Sequence, residues 1–147
     1  MQQLQQHRRK HMVTINLAGK EYPMSFSVMA TKKISAKYGD VNSFLNSLSN
    51  KGLTDVVVLD EFIDILEILI HQGCAYKNYF EKDMPVKDTD PVIEGKWTPL
   101  PREALELVIE FADLEDTADA LMRCITKDKK GKLEQANTRK NAEAGQE

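Results

Sequence analysis

The chain has 147 residues, of which 41% are hydrophobic and 29% charged, with a formal net charge of −3. That length fits one domain with tails, and that composition supports a packed core rather than a disordered or collagen-like chain. Residues 13–126 carry 11 bases against 19 acids, and an acidic body argues against a broad nucleic-acid surface, which needs clustered Lys and Arg.

The two ends differ from this body. Residues 1–12, "MQQLQQHRRKHM", carry +3, and residues 127–147 carry six bases against four acids. Both read as solvated termini. The first lacks the apolar stretch of a secretory signal and reads as a vector-derived leader or a frayed native end, outside the fold. The second, Lys-rich and nearly devoid of large apolar residues, reads as a disordered polar tail. Residues 13–126 are then a single domain.

From Val13 to Val28 the sequence "VTINLAGKEYPMSFSV" alternates apolar and polar residues with period two, the mark of strands with one buried face. A two-residue type II′ turn at Gly19-Lys20 would set Leu17 opposite Tyr22, Ile15 opposite Met24 and Val13 opposite Phe26. Pro23 cannot donate to a ladder, so the second strand lies at an edge. An isolated hairpin is marginal in water, so its apolar face must pack on the helices that follow.

Those helices carry their own punctuation. Ser27 caps a short helix with Ala30, Ile34 and Tyr38 at helical spacing, and Gly39 ends it. Asp40 caps a second helix over "VNSFLNSLSN" that stops at Gly52. Thr54 opens the longest helix, running to Gly73. Eleven of its fifteen residues from Val56 to Ile70 are apolar, wider than the stripe a surface helix needs, so it is buried on several sides or against a partner. The β-branched run Val56-Val57-Val58 favours a strand locally, but the pattern from Leu59 to Ile70 is helical. The apolar run is about five residues short of a membrane span, and acids interrupt it.

Residues 81–99 contain three prolines and no helical period, and read as a long functional or mobile loop. Trp97 in that loop is a lid over the core, which large aromatics favour, or an exposed anchor. A helix over residues 100–113 follows, with Pro101 in its first turn and Leu105, Val108, Ile109 and Ala112 facing inward. A last helix carries Leu114, Ala118, Leu121, Met122 and Ile125 on its buried side. The fold class is α+β, an N-terminal antiparallel hairpin on a bundle of about four to five helices.

Catalytic signatures do not emerge. Asp60, Asp64, Glu67 and His71 fall on one ridge of the long helix, but metal sites want ligands converging from more than one element. His71 and Cys74 form a lone His-x-x-Cys, so the ridge reads as a solvated stripe beside a core cysteine. Nothing matches a nucleophile elbow, a phosphate loop or a dinucleotide fingerprint. The expectation is a non-enzymatic protein with no cofactor and no metal, working by contact. The apolar excess in 56–70 also predicts self-association.

Four pieces together suggest a family. The front hairpin Val13–Phe26, of the form "ITINGKEYP-x-x-F", precedes Lys37-Tyr38-Gly39, the apolar helix Leu59–Cys74 and the helical stretch Leu100–Ile125. With the Lys-rich tail, they resemble the tail assembly chaperones of long-tailed bacteriophages. The resemblance implies a protein of the host cell cytoplasm, not retained in the mature virion. It implies binding to the hydrophobic tape measure protein and help for tail tube protein subunits polymerising around it. It also implies a second, frameshifted form, for which a slippery adenine run encoding Lys129-Lys130 is a candidate site. Under this reading the partner-binding residues are Val57, Phe62, Ile63, Leu66, Ile70, Trp97, Lys129 and Lys130, the central-core role of helix 56–70 being the alternative. Two rivals stand beside it: a virion structural or head–tail joining protein, and a small regulatory or nucleic-acid-binding protein using its basic ends.

Overall fold

The computed structural model describes residues 12–126. The expectations for the leader, for the tail and for Lys129 and Lys130 lie outside the described residues, except that Met12 is buried and so belongs with the fold.

β1 (Val13–Leu17) and β2 (Lys20–Met24) form the antiparallel hairpin. Its turn is Ala18-Gly19, not Gly19-Lys20, and both residues have positive φ, 52° and 80°. That is a type I′ turn, whose twist matches that of the strands it joins. The register therefore moves by two residues: Leu17 faces Lys20, Ile15 faces Tyr22 and Val13 faces Met24. A shift of two keeps every side chain on its expected face, and Ile15, Leu17, Tyr22 and Met24 are all buried. The backbone N–H of Glu21 donates outward to the Thr89 carbonyl at 2.8 Å, so the outer edge of β2 faces the 81–99 loop. Pro23, two residues on, points the same way, where a missing donor is tolerated.

α1 (Val28–Tyr38) starts at Ser27, whose hydroxyl accepts from the Ala30 N–H at 3.0 Å, and α2 (Val41–Lys51) starts at Asp40, which accepts from Ser43 at 2.7 Å. Gly39 and Gly52 end them as expected. α3 (Val56–Phe80) differs at both ends. Its cap is Asp55 rather than Thr54, the carboxylate accepting from Val57 and Val58 N–H at 2.9 and 3.1 Å. This anion at the positive end of the helix offsets the poor propensity of three valines. The helix also passes through Gly73 for seven further residues. Gly73 is a contact point instead of a stop: a Cβ there would meet the Pro23 carbonyl oxygen at 2.1 Å. The missing side chain lets the β2 backbone lie on the helix, and the Ser25 N–H donates to the Leu69 carbonyl at 3.0 Å beside it.

The 81–99 segment holds a second, miniature hairpin, β3 (Val92–Ile93) with β4 (Lys96–Trp97). Glu94 and Gly95, at φ 52° and 81°, make another turn with positive φ at both positions. β4 docks on α3 through one amide: Trp97 N–H donates to Asn78 Oδ1 at 2.8 Å and its carbonyl accepts from Nδ2 at 2.9 Å. Trp97 is the lid, 7% exposed. Beneath it, Lys77 and Glu81 form a buried pair at 2.8 Å, with the ammonium 5.5 Å from the indole centroid.

The expected helix over 100–113 is broken. α4 (Arg102–Val108) ends early, and a 3₁₀ turn over Phe111–Asp113 leads into α5, helical over residues 114–126. Asp113 Oδ2 accepts from the Glu110 N–H at 3.2 Å, which starts a new helix and competes with continuing the old one. Ala112, expected inside, is exposed, whereas Leu105 is fully buried. The arrangement is α+β, with the hairpin and five helices among the described residues sharing one core. α3 lies at its centre, touching β2, α1, α2, α4 and β4.

Candidate docking surface

The central position of α3 divides its apolar residues. Phe62, Ile63, Leu66 and Ile70 lie in the domain's own core, at 5% exposure or less. Phe62, Leu66 and Ile70, with Trp97, are removed from the expected partner-binding set, because a side chain already packed inside the fold offers no surface to a partner; Ile63 keeps an edge in the wall of a surface depression. Val57 stays on the surface at 65%. It has company: Val56 is 74% exposed, Leu107 78% and Phe111 77%.

Phe111 divides two joined depressions. One, of about 520 Å³, lies between the end of α2 and α5, with Leu48, Leu53, Leu114 and Ala118 in its walls. The other, of about 280 Å³, lies against the first turns of α3, with Val56, Leu59, Ile63 and Ile109 in its walls. Phe111 and Leu114 belong to both, so the two form one apolar strip. Covering Phe111 and Val56 would contribute roughly 3–6 kcal/mol of transfer free energy, before the costs of association.

The rim is acidic. Glu115 and Asp119 border the first depression, Asp60 and Glu106 the second, and among the described residues no Lys, Arg or His lines either. The whole stretch from Glu103 to Asp119 carries seven acids and no base. That run, with Phe111 off the expected inward stripe, was the sequence signal for this surface. Assuming one unbroken helix concealed it.

The acidic ridge of α3 is largely occupied in holding helices together. Arg102 Nη2 bonds Asp60 Oδ1 at 2.8 Å, Nη1 bonds Asp64, and Nε bonds Glu106 Oε2 at 2.9 Å. Lys37 reaches Asp64 at 2.8 Å, and the Tyr38 hydroxyl donates to the same carboxylate. Burial first, then the Glu61 charge, raises the Tyr38 phenol above its ordinary pKa despite Arg102, so it stays a neutral donor. These contacts fasten α1 and α4 to α3. His71 is exposed while Cys74 is buried, so the His-x-x-Cys pair does not converge. Burial pushes the Cys74 thiol up to about 12, which leaves it an inert core residue. Among the described residues, no three His, Cys, Asp or Glu side chains are placed to hold a metal ion.

A second exposed apolar group, Tyr79 and Phe80, caps the far end of α3, their rings 5.2 Å apart, but neither lines a depression next to the Phe111 strip. No described helix is long and apolar enough to cross a membrane. Searches of protein families, curated proteins and solved structures find no match to this chain.

Proposed function

We propose that this chain is a non-enzymatic protein-binding module, and specifically a tail assembly chaperone of a long-tailed bacteriophage. In this reading it acts in the host cytoplasm, shields hydrophobic segments of the tape measure protein, hands them to polymerising tail tube subunits and leaves before the virion is complete. The observation that carries the proposal is the apolar strip at Phe111 and Val56, with Val57 exposed next to it in sequence at the open end of α3. A shield for a client needs apolar area presented on a stable scaffold. The polar groups that do gather, around Arg102, satisfy one another and serve the scaffold. The resemblance of the hairpin, the "KYG" helix end and the apolar helix to that family supplies the client's identity.

Co-expression with a tape measure protein tests it. The expected result is a soluble client that elutes with the chaperone on size exclusion. Unchanged client solubility with no shared peak would refute the proposal. Purified particles separate it from a structural role, because a chaperone is missing from them and a head–tail joining protein is retained.

A further inference from the structure

We infer that the Phe111 strip binds an amphipathic helix with basic flanks, contributed by another protein. The inference rests on the reading of the chain as a protein-binding module and says what kind of segment it takes.

Three observations choose that occupant. The walls of both depressions come mostly from α2, α3, α4 and α5, with the α2–α3 connection at Gly52, Leu53 and Thr54 and the turn between α4 and α5 completing them. None of the described lining residues belongs to a strand, so an extended peptide would find no ladder there and would leave its own amides unpaired. A helix satisfies its own backbone, and side chains a turn apart can enter the two depressions on either side of Phe111. The rim then selects charge. Glu115 and Asp119 stand on one side, Asp60 and Glu106 on the other, with Arg102 offsetting part of the second pair. Lys and Arg beside the partner's apolar stripe complement that rim, whereas Asp and Glu are repelled.

The same chemistry disfavours the other occupants. Two copies meeting face to face through this strip would bring identical acids together, since a two-fold contact pairs a patch with itself. The chain's own ends have the right sign but too little apolar content: residues 127–147 contain a single leucine and no aromatic residue, and residues 1–11 contain only Met1 and Leu4.

The test uses the full chain and two fluorescein-labelled model helices of the same Leu pattern, one with Lys and one with Glu at its polar positions, followed by anisotropy. The Lys peptide is expected to bind and the Glu peptide not, with binding weakening as salt is raised and the screening length falls from about 10 Å at 0.1 M to about 3 Å at 1 M. Phe111→Ser should weaken the Lys peptide about tenfold or more, as loss of a central aromatic anchor does. Both the Glu115→Lys/Asp119→Lys pair and Phe111→Ser alter exposed side chains, and circular dichroism confirms folding. The charge-reversed protein should lose the Lys peptide and gain the Glu peptide. Equal binding of both peptides, binding indifferent to Phe111→Ser, or a dimer that dissociates on Phe111→Ser while neither peptide binds would each overturn the inference. Running Phe111→Ser in the tape measure co-expression separates the two levels. A client kept soluble by both proteins, with no peptide bound, removes the helix site and leaves the chaperone reading standing. A client not rescued by the wild-type chain removes the chaperone reading whatever the peptides do.

Discussion

The two halves of α3 have much the same greasy composition and opposite fates. From Phe62 to Cys74 the inward residues lie at 5% exposure or less, covered by the hairpin, α1, α2 and α4. At the N-terminal end, Val56 and Val57 stand in water, Val56 in the same depression as Phe111. The width of an apolar stripe therefore does not distinguish core from docking surface. What distinguishes them is whether the rest of the chain has something shaped to cover it. The covered half has two fitted lids, β2 seated on the bare backbone of Gly73 and β4 held by the Asn78 amide. The open half ends where α4 breaks and the chain turns Phe111 outward.

The largest effect that would sharpen this contrast is Leu66→Asp in the covered half. Leu66 is 0% exposed, and the change both empties apolar volume and buries an unpaired charge. A loss on the order of 5 kcal/mol is expected, enough to unfold a marginal domain. A melting curve that superimposes on wild type would place this face at the surface. Next comes Gly73→Ala. On an ordinary helix, Ala in place of Gly is favourable by about 1 kcal/mol. Here the new Cβ would lie 2.1 Å from the Pro23 oxygen and 2.8 Å from the Met24 nitrogen, backbone atoms that cannot swing aside. A net loss of about 3 kcal/mol is expected from the overpacking, read as a lower urea midpoint. A gain would show that β2 does not seat there.

These two positions also show how legible the fold was. Alternation in Val13–Met24 reveals the hairpin because each strand is long enough to show a period, and caps such as Ser27 and Asp40 announce helices by local chemistry. The second hairpin escapes because two-residue strands show no period, although "IEGK" repeats the apolar-x-Gly-Lys pattern of "LAGK" at the first turn. Gly73 misleads because a glycine that ends a helix and one that admits a strand look alike in sequence. The docking strip is hidden because the local Glu110–Asp113 capping contact that breaks the helix looks in sequence like any other pair in a run of acids, and only the folded chain shows Phe111 turned out.

A smaller effect probes the second lid. Asn78→Ala removes both hydrogen bonds to the Trp97 backbone and leaves its N–H and carbonyl to find water. Two such bonds at a half-buried site contribute about 1–2 kcal/mol net. The loss should be accompanied by a change in the fluorescence of Trp97, the only tryptophan. Lost stability with unchanged emission would mean that Asn78 acts elsewhere than on the lid.

The smallest effect tests the open end itself, using neighbours in sequence. Val57 is 65% exposed and Val58 is 1% exposed, although both donate their N–H to the same Asp55 cap. Val57→Ser should therefore change stability by less than about 0.5 kcal/mol, as surface substitutions do. Val58→Ser should cost about 2–3 kcal/mol, from lost burial and a hydroxyl placed in the core. Backbone propensity and capping are the same in both variants, so the difference between them isolates burial. Equal losses would mean that something already covers Val57 in the free protein, leaving no surface there for the strip to extend onto. A neutral Val57→Ser that nevertheless weakens the Lys-peptide complex would extend the strip from Phe111 along the first turn of α3.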